Sequence, residues 1–499
     1  MSKINLSKSA FTRGLQCHKS LYLKKHHPEL EDPISDAQQA IFTGGTNVGL
    51  LAQQLFPGGI DLGHYIPGNY QKAFDETTLL LAKNEVVIYE AGFKKDNLLC
   101  FMDILTKKEG KYHAYEVKGS TSVKDLYLWD TAFQYHVITS SGIELEDISV
   151  VYLNTTYVKQ GELDVHQLFT IESVKDRILP LLPQVKEQIR LMNNMLVNQD
   201  IPGIDIGPHC SDPYECSFMG HCWKHLPVNS IFSYKGLKSK TQWDLYNQNI
   251  YLVEDIPANQ PLNQLEQLVV YTQKNNASHI NQHAIRSFVS NLNYPLYFLD
   301  FETLFMVSIP IYDNSSPFQQ IPFQYSLHIK SDSHSKVEHK QFLAEADRNV
   351  DPRDAFIKQL INELGTEGDI MVYNATFEKG RLKEIQRMMP QYAAQIDSII
   401  NRVVDLMNPF RSRHYYAPKM KGSYSIKKVL PALVPGLSYD GMDIADGGSA
   451  SNAFMSLLDE TDPECITKTR NNLLKYCEMD TWAMVEILGI LENKLIRLV

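Results

Sequence analysis

Apolar runs between residues 86 and 121 alternate with short polar turns. The runs are EVVIYEAGF, LLCFMDILTKK and KYHAYEVKGST, separated by a charged turn and by a glycine turn. Short β-rich runs joined in this way predict an antiparallel meander of three strands. The next apolar segment, WDTAFQYHVI, has the spacing of a helix. The N-terminal part of the chain is therefore predicted to mix strands and helices.

A second set of apolar patterns lies in the last third of the chain. YPLYFLDFET reads as a buried strand, GDIMVYNATFEKGRLKEI as a strand followed by a loop and a helix, and NNLLKYCEMDTWAMVEIL as a helix. Residues 226–293 are polar with helical spacing. The patterns predict a multidomain α/β protein with domains at 1–225 and 294–499, joined by a helical segment at 226–293.

Length and composition agree with this organisation. A chain of 499 residues is too long for one core, and 43% hydrophobic with 21% charged residues is ordinary for a globular protein. The formal charge of −10 argues against a generally basic surface but allows a local basic groove. Because no apolar run reaches membrane-spanning length and no signal-peptide pattern is found, we expect a cytoplasmic protein without a membrane partner.

Each strand of the N-terminal meander carries one acid in an apolar setting. These acids are Glu90, Asp103 and Glu116, and Lys118 follows the last of them. An unpaired charge inside an apolar strand is unfavourable, whereas three converging carboxylates can share a divalent cation. Within this stretch alone, an exposed ion pair between Glu116 and Lys118 remains the alternative.

The ordered set of acids resembles the PD-(D/E)XK nucleases, in particular their RecB-like branch. The resemblance implies a restriction-endonuclease-like core, Mg²⁺ or Mn²⁺ at Glu90, Asp103 and Glu116, and catalytic roles for Glu116 and Lys118. The following helix supplies Gln134 as a further catalytic residue. The stretch FTGGTNVGLLAQQLF lacks the histidine that many RecB-like nucleases carry there.

Four cysteines enclose this region. Cys210, Cys216 and Cys222 are evenly spaced, and Cys17 lies far upstream. The tight thiol pairs of most zinc sites are absent. The pattern resembles iron–sulfur RecB-like nucleases, which implies that these four thiols hold a structural [4Fe–4S] cluster; Zn²⁺ with His209 or His221 is the alternative.

The last third of the chain carries a second group of acids. Asp300 and Glu302 share one face of their strand, Glu378 lies on a helix, and Tyr476 and Asp480 are four residues apart on another helix. Acids on a strand end and on helices can hold two metal ions for phosphodiester hydrolysis.

This arrangement resembles the DnaQ-like (DEDDy) 3′–5′ exonucleases of the RNase H-like fold. The resemblance implies that Asp300, Glu302, Glu378 and Asp480 bind metal, with Asp300 and Tyr476 catalytic. Asn374 and Phe377 match the second motif and would contact nucleic acid. Glu378 departs from the family, which usually has Asp there.

A basic and aromatic segment separates the second and third motifs. Cations interleaved with rings suit single-stranded nucleic acid; the residues concerned are Arg411, Arg413, Tyr415, Tyr416, Lys419 and Lys421. A solvated loop is the alternative for this segment.

The combination of an iron–sulfur RecB-like domain with a following DnaQ-like domain resembles an uncharacterised bacterial family of predicted nucleases. We expect a metal-dependent nuclease with two centres acting on single-stranded regions or ends of DNA. RNA as substrate, or a decayed nucleic-acid-binding or scaffold protein, are the alternatives. No Walker A sequence is found, so any helicase would be a separate partner, together with other repair or defence proteins.

Overall fold

The computed structural model describes residues 4–83, 86–305 and 307–496 of the chain. The chain packs as two units. The first comprises Met1–His225 and Val307–Phe318, and the second comprises Leu226–Met306 and Gln319–Val499. The first unit thus ends its N-terminal part at His225, and residues 226–293 belong to the second unit.

A mixed sheet forms the centre of the first unit. Its strands are β1 (Leu6–Ser7), β2 (Ile60–Asp61), β3 (Val86–Lys95), β4 (Leu98–Lys108), β5 (Lys111–Lys118), β6 (Leu145–Leu153) and β7 (Phe169–Ser173). Among the described residues the order is β2–β3–β4–β5–β6–β7, with β1 parallel to β4. The antiparallel β3–β4–β5 meander confirms the prediction for 86–121. Since β6 lies parallel to β5, a helix must cross between them.

Several helices of the first unit pack against this sheet. The helices of this unit are α1 (Lys8–Gln16), α2 (His18–His26), α3 (Asp36–Ala52), α4 (Tyr70–Leu81), α5 (Asp125–Ser140), α6 (Val165–Leu168), α7 (Lys175–Ile178), α8 (Leu182–Leu196) and α9 (Met219–Cys222). Of these, α2 and α8 pack against other helices. The crossover helix α5 is the helix predicted from WDTAFQYHVI. Phe133 of α5 stacks on Phe11 of α1 with ring centroids 4.7 Å apart, and both rings are fully buried. This contact fixes α1 and α5 beside the ends of the meander strands.

The second unit has its own mixed sheet. Its strands are β8 (His279–Ile280), β9 (Leu296–Leu304), β10 (Ile321–Lys330), β11 (Glu338–Leu343), β12 (Asp369–Val372), β13 (Val403–Asp405) and β14 (Tyr415–Tyr416). The main sheet runs β11–β10–β9–β12–β13, antiparallel on the β10 side of β9 and parallel on the β12 side. The separate pair β14–β8 is antiparallel. The predicted strand YPLYFLDFET is confirmed as the central strand β9, which is buried along nearly its whole length.

Helices surround this sheet. They are α10 (Ser239–Tyr246), α11 (Gln264–Asn275), α12 (Gln282–Ser290), α13 (Pro352–Glu363), α14 (Ala375–Met388), α15 (Ala393–Arg402), α16 (Asn408–Arg411), α17 (Ile426–Leu433), α18 (Gly447–Leu457) and α19 (Pro463–Ile496). The long helix α19 packs on β9 and β10, where Gln324 Nε2 donates to Leu473 O at 2.8 Å. The strand–loop–helix and C-terminal helix predictions are confirmed by β12–α14 and α19. None of the described helices is long and apolar enough to cross a membrane.

Candidate functional site

The three acids of the meander lie side by side across adjacent strands. The pairs Tyr89–Ile104 and Ala91–Met102 put Glu90 opposite Asp103, and continuation of the β4–β5 register puts Asp103 opposite Glu116. Directly opposed side chains of antiparallel strands point to the same face. Glu90 has a φ of 55°, a left-handed conformation that costs free energy in a non-glycine residue and is typical of functional sites.

Glu116 is the centre of a buried hydrogen-bond network. Its Oε1 accepts from Lys118 Nζ at 2.7 Å and from Lys8 Nζ at 2.8 Å, and its Oε2 accepts from Gln134 Nε2 at 2.8 Å. Glu116 is only 1% exposed. The structure thus brings together Glu116, Lys118 and Gln134 as predicted and adds Lys8 from α1.

Asp130 is a further member of this cluster that the sequence analysis missed. Its Oδ2 accepts from Lys118 Nζ at 2.5 Å, and its Oδ1 accepts from Gln134 Nε2 at 3.4 Å. Asp130 lies four residues before Gln134 on α5, so the shared helix face was a usable signal. Lys8 offered no such signal, because its position depends on the packing of α1 against α5.

The charges of the cluster oppose one another. Burial raises the pKa of Glu90 to about 7 and that of Asp103 to about 6, with repulsion between neighbouring acids adding to both shifts. Burial would also raise the pKa of Glu116, but the ammonium groups of Lys118 and Lys8 lower it to about 2. Glu116 is therefore ionised at neutral pH, whereas the raised pKa values of Glu90 and Asp103 bring their deprotonation close to neutral pH, where a cation would favour the ionised forms.

Lys8 occupies the space between two of the acids. Its ammonium group lies 2.8 Å from Glu116 Oε1 and 3.7 Å from Asp103 Oδ1. Among the described residues, Glu90, Asp103 and Glu116 do not form a trio of ligand atoms within 4.8 Å of one another. A divalent cation at these acids would therefore compete with the Lys8 ammonium.

All four predicted cluster cysteines line one pocket of the first unit, together with His209. Burial raises the pKa of Cys17 and of Cys222, and the neighbouring thiols add to both shifts. In the part of the chain that the structure describes, no three of these sulfurs, alone or with a histidine, lie within 4.8 Å of one another. A zinc–thiolate tetrahedron needs sulfurs about 3.8 Å apart, from Zn–S bonds of about 2.3 Å. The four thiols therefore line a common pocket, and a single zinc ion would require the sulfurs to move closer together.

Replacement of Cys17 by Ser should abolish the visible absorption of an iron–sulfur cluster in anaerobically purified protein. Cys17 lies between α1 and α2 and lines the same pocket as the other three thiols, so its replacement removes one of the four sulfurs on which the predicted cluster depends. Cys465→Ser is the matched control, since Cys465 is exposed and lies in α19 of the second unit. Iron analysis that finds equal iron content in the two variants would contradict the assignment.

The second group of acids surrounds a cleft of about 310 Å³ in the second unit. Asp300 and Glu302 come from β9, Glu378 from the first turn of α14, and Tyr476 and Asp480 from α19. Glu302, Glu378 and Asp480 are at most 7% exposed. All five predicted residues line the cleft, so three distant segments meet there as expected.

Burial and mutual repulsion dominate the electrostatics of the cleft. Burial raises the pKa of Asp300 well above its usual range, and Asp480, Glu302 and Glu378 raise it further. Burial likewise raises the pKa of Glu302 and of Glu378, and that of Asp480 to about 6. Glu378 Oε2 is buried without a hydrogen-bond partner. The cleft therefore has an excess of oxygen ligands over positive charge.

Several cleft residues were not predicted as site residues. Tyr439 Oη donates to Asp480 Oδ1 at 2.5 Å, which opposes the burial shift of the Asp480 pKa. Lys427 Nζ lies 5.6 Å from the Tyr439 ring centroid and 5.5 Å from that of Tyr476, and its charge lowers the pKa of Glu302. Asp405 Oδ1 accepts from the backbone N–H of Asn374, whose φ is 96°. Lys427 belongs to the basic segment, but nothing in the sequence distinguished it from its neighbours.

The contribution of the cleft carboxyls to the stability of the metal-free protein should fall as pH rises. A carboxyl whose pKa is raised on folding binds its proton more tightly in the folded state, so stability is lost as that proton leaves. For Asp480 the window runs from the ordinary value of 3.8 to about 6. Mg²⁺ or Mn²⁺ should therefore raise the melting temperature more at about pH 8 than at about pH 5. An equal metal-induced rise in melting temperature at both pH values would contradict this prediction. In Glu302→Gln, the rise at about pH 8 should exceed the rise at about pH 5 by less than it does in the wild type.

The basic segment is more deeply packed than predicted. Tyr415 and Tyr416 form β14 and are buried, so neither ring is available for base stacking. Arg413 donates to Gly422 O at 2.8 Å and lies over the Tyr416 ring. Arg413, Tyr415 and Tyr416 therefore serve the packing of this segment, and their predicted role in contacting nucleic acid is wrong.

Other members of the predicted nucleic-acid set are accessible. Arg411 and Lys419 are exposed, while Lys421 Nζ donates to Asn229 Oδ1 at 2.7 Å. Asn374 and Phe377 line the cleft itself, and the Arg381 guanidinium lies 5.5 Å from the Phe377 ring centroid. Asn374 and Phe377 therefore line the cleft, whereas Arg411, Lys419 and Lys421 are not among the residues that line it.

Comparisons with known proteins match parts of the chain. Residues 297–425 match the model of a domain of unknown function, DUF2779. The chain is 29% identical over 239 residues to the uncharacterized protein UU173 of Ureaplasma parvum serovar 3; the match covers 43% of the chain. The chain thus spans about a third of that curated relative, 33% of its length. Neither description names an activity. The region similar to DUF2779 contains three of the four cleft acids, Asp300, Glu302 and Glu378.

Proposed function

We propose that this protein is a metal-dependent nuclease whose principal centre is the cleft of the second unit. The observation that carries the proposal is the convergence of four largely buried carboxylates, Asp300, Glu302, Glu378 and Asp480, in one cleft. Such a concentration of buried negative charge is unfavourable without cations. It is typical of sites in which metal ions balance carboxylates and phosphates.

The donor set fits hard divalent cations. All four side chains offer oxygen, and the unpartnered Glu378 Oε2 is a free acceptor at the wall of the cleft. Asp300, Glu302, Glu378 and Asp480 would hold Mg²⁺ or Mn²⁺. Bound there, such ions polarise a phosphoryl oxygen and make water a better nucleophile at neutral pH. The buried Cys477 thiol has a raised pKa, stays protonated and is not a suitable ligand.

The chain's own residues would orient the substrate. The pKa of Tyr476 is strongly raised by burial and by the nearby Asp480, so its phenol remains a hydrogen-bond donor for water or phosphate oxygen. Tyr439 holds Asp480 in position through its hydroxyl group. Lys427 supplies a positive charge beside both rings. Its ammonium group could contact a phosphate that enters the cleft.

The size of the cleft favours a single-stranded substrate. Its volume of about 310 Å³ is at the lower end of ligand pockets, which range over roughly 300–1,000 Å³. Such a cleft accommodates a terminal nucleotide more readily than a duplex. Phe377 at the mouth could stack on a base, and Asn374 could contact the sugar or base edge. These features support removal of nucleotides from a strand end, and the 3′–5′ direction and DNA as substrate follow from the resemblance to DnaQ-like exonucleases.

The cluster around Glu116 would be a second nuclease centre. It combines the four acids Glu90, Asp103, Glu116 and Asp130 with only two amines, those of Lys8 and Lys118. Glu90 and Asp103 would complete a cation site with Glu116 once Lys8 moves aside. Lys118 would hold the attacking water or the phosphate, and Gln134 fixes the orientation of the Glu116 carboxylate.

The proposal is tested by incubating anaerobically purified protein with Mn²⁺ and two single-stranded DNA substrates, a closed circle and a 5′-labelled linear strand. Stepwise shortening of the linear strand is expected, and EDTA should stop it. Nicking of the circle would report the second centre. RNA versions of both substrates decide between DNA and RNA. Binding that persists in EDTA, without cleavage of any substrate, would overturn the proposal in favour of a binding protein.

A further inference from the structure

A second cluster of metal-ligating side chains lies at the edge of the main sheet of the second unit. His328 of β10 and His339 of β11 are direct cross-strand partners. Their rings are stacked with centroids 4.4 Å apart. His328 is 4% exposed, whereas His339 is partly exposed. Two imidazoles on adjacent strands are thus held face to face, with one edge of the pair open to solvent.

Glu478 of α19 completes the cluster. Its Oε1 lies 3.8 Å from His339 Nδ1. One ligand atom from each of His328, His339 and Glu478 falls within 4.8 Å of the others. The Glu478 side chain is 49% exposed, so it can rotate towards the imidazoles at little cost. The three donors come from three different elements and lie close enough to reach a single ion after small side-chain adjustments.

A hydroxyl network fixes the far side of both rings. His328 Nδ1 lies 2.8 Å from Thr481 Oγ1, His339 Nε2 lies 2.9 Å from Ser326 Oγ, and the two hydroxyl oxygens are 2.7 Å apart. Thr481 Oγ1 also donates to Glu478 O at 3.0 Å.

Only some proton arrangements satisfy this network. If Thr481 donates to Glu478 O and Ser326 donates to Thr481, both imidazoles must donate their hydrogen-bonded N–H groups to the hydroxyls. Every proton then has an acceptor. The lone pairs are left on His328 Nε2 and His339 Nδ1. Metal-binding histidines are oriented in the same way, by donating their other N–H to a neighbouring oxygen.

We propose that His328, His339 and Glu478 form a binding site for a divalent transition metal of the zinc type. Imidazole donors favour Zn²⁺, Co²⁺, Ni²⁺ or Cu²⁺ over Mg²⁺. Two histidines and one carboxylate leave a fourth position of a tetrahedral ion open to solvent. The site is chemically distinct from the all-oxygen cleft, and the inference does not depend on the proposed nuclease activity.

Occupancy of this site would tie three elements together. The metal would link β10 and β11 to α19, the helix that also carries Tyr476 and Asp480. Glu478 lies between these two residues in sequence. The ion would therefore restrain the helix that supplies the third side of the cleft.

The test is a titration of the full-length protein with Co²⁺ in excess Mg²⁺, followed by visible absorption. Mg²⁺ occupies oxygen-only sites, and Co²⁺ at the cysteines is recognised by its thiolate charge-transfer band. Co²⁺ at His328, His339 and Glu478 should give d–d absorption without that band. His339→Gln should weaken this binding by at least about tenfold to a hundredfold, since even outer-shell changes cost that much.

His334→Gln is the matched control, since His334 is an exposed histidine of the β10–β11 loop. It should bind Co²⁺ like the wild type. Glu478→Gln, an exposed change that should not affect folding, should weaken binding as well. Circular dichroism in EDTA checks that each variant is folded. If wild type, His339→Gln and Glu478→Gln bind the same number of Co²⁺ ions with equal affinity, the cluster is a packing contact only and the proposal is wrong.

Discussion

Replacement of Asp300 by Asn is expected to abolish Mn²⁺-dependent shortening of a linear DNA strand and to stabilise the metal-free protein. Both effects have one cause. Asp300 lies among Asp480, Glu302 and Glu378, and burial together with these charges raises its pKa well above the usual range. The carboxylate is therefore unfavourable for folding, which is the expected trade-off if Asp300 serves the proposed cation site rather than stability.

The expected magnitudes follow from the site. Loss of a carboxylate ligand should reduce the rate by more than about a hundredfold, because changes one shell further out already cost 10–100-fold. Removing the repulsion should raise the free energy of unfolding in EDTA by on the order of 1 kcal/mol at neutral pH. At low pH, where Asp300 is protonated in both folded and unfolded states, the gain should disappear.

Glu367→Gln is the control for this experiment. Glu367 is an exposed acid of the same unit outside the cleft, so its replacement removes one negative charge without changing the site. It should affect neither activity nor stability by more than about 0.5 kcal/mol. A fully active Asp300→Asn protein would exclude the cleft as a nuclease centre. An inactive Asp300→Asn protein with unchanged stability would show that repulsion between Asp300 and the other cleft carboxylates does not destabilise the metal-free protein.

Local patterns were sufficient to predict the elements that carry both clusters. The strands β3, β4, β5 and β9 and the helices α5, α14 and α19 were all recognisable from apolar periodicity and turn residues. Such patterns reflect burial of one face, which is a local property of the chain. The convergence of acids within each cluster was inferred from motif order, because spacing alone does not bring Asp300 and Asp480 together.

Residues whose role depends on tertiary packing were not predictable. Lys8 reaches Glu116 only because α1 packs on α5, and Tyr439 reaches Asp480 across 41 positions of sequence. Tyr415 and Tyr416 were predicted to stack on bases because aromatic residues beside cations suit nucleic acid. Their burial in β14 is a long-range outcome, since β14 pairs with β8 of a distant segment. Composition cannot distinguish a ring that packs from a ring that binds.

Replacement of Glu116 by Gln should have the opposite effect on stability to the Asp300 change. Glu116 is 1% exposed and accepts hydrogen bonds from Lys118 and Lys8, whose charges lower its pKa to about 2. In Glu116→Gln, the neutral amide is a weaker hydrogen-bond acceptor for the ammonium groups of Lys118 and Lys8 than the carboxylate is. Loss of one member of a buried ion pair costs about 3–5 kcal/mol, and about 3 kcal/mol is expected because Asp130 and Asp103 still contact the lysines.

Glu146→Gln is the matched control, since Glu146 pairs with Lys111 in the same unit but is 50% exposed. The loss of stability in Glu146→Gln should be much smaller than in Glu116→Gln, because solvent screens exposed ion pairs. Hydrogen exchange measured by mass spectrometry should show reduced amide protection in the β5 and α5 peptides of Glu116→Gln, which would place the loss of stability at the cluster. Equal protection in Glu116→Gln and Glu146→Gln would contradict the buried network.

The pH dependence of the free energy of unfolding should distinguish Glu116 from Asp300, because the two replacements change it in opposite directions. Because the folded-state pKa of Glu116 is depressed, its contribution is present above the ordinary value of 4.5 and is lost as pH falls towards about 2. The cost of Glu116→Gln should therefore be largest at neutral pH and vanish in acid. The gain from Asp300→Asn follows the same pH trend with the opposite sign. Glu116 thus stabilises the fold through its ion pairs with Lys118 and Lys8. Asp300 destabilises it, because neighbouring carboxylates repel its charge when no cation is bound. Unfolding curves of both variants at several pH values in EDTA would reveal this contrast.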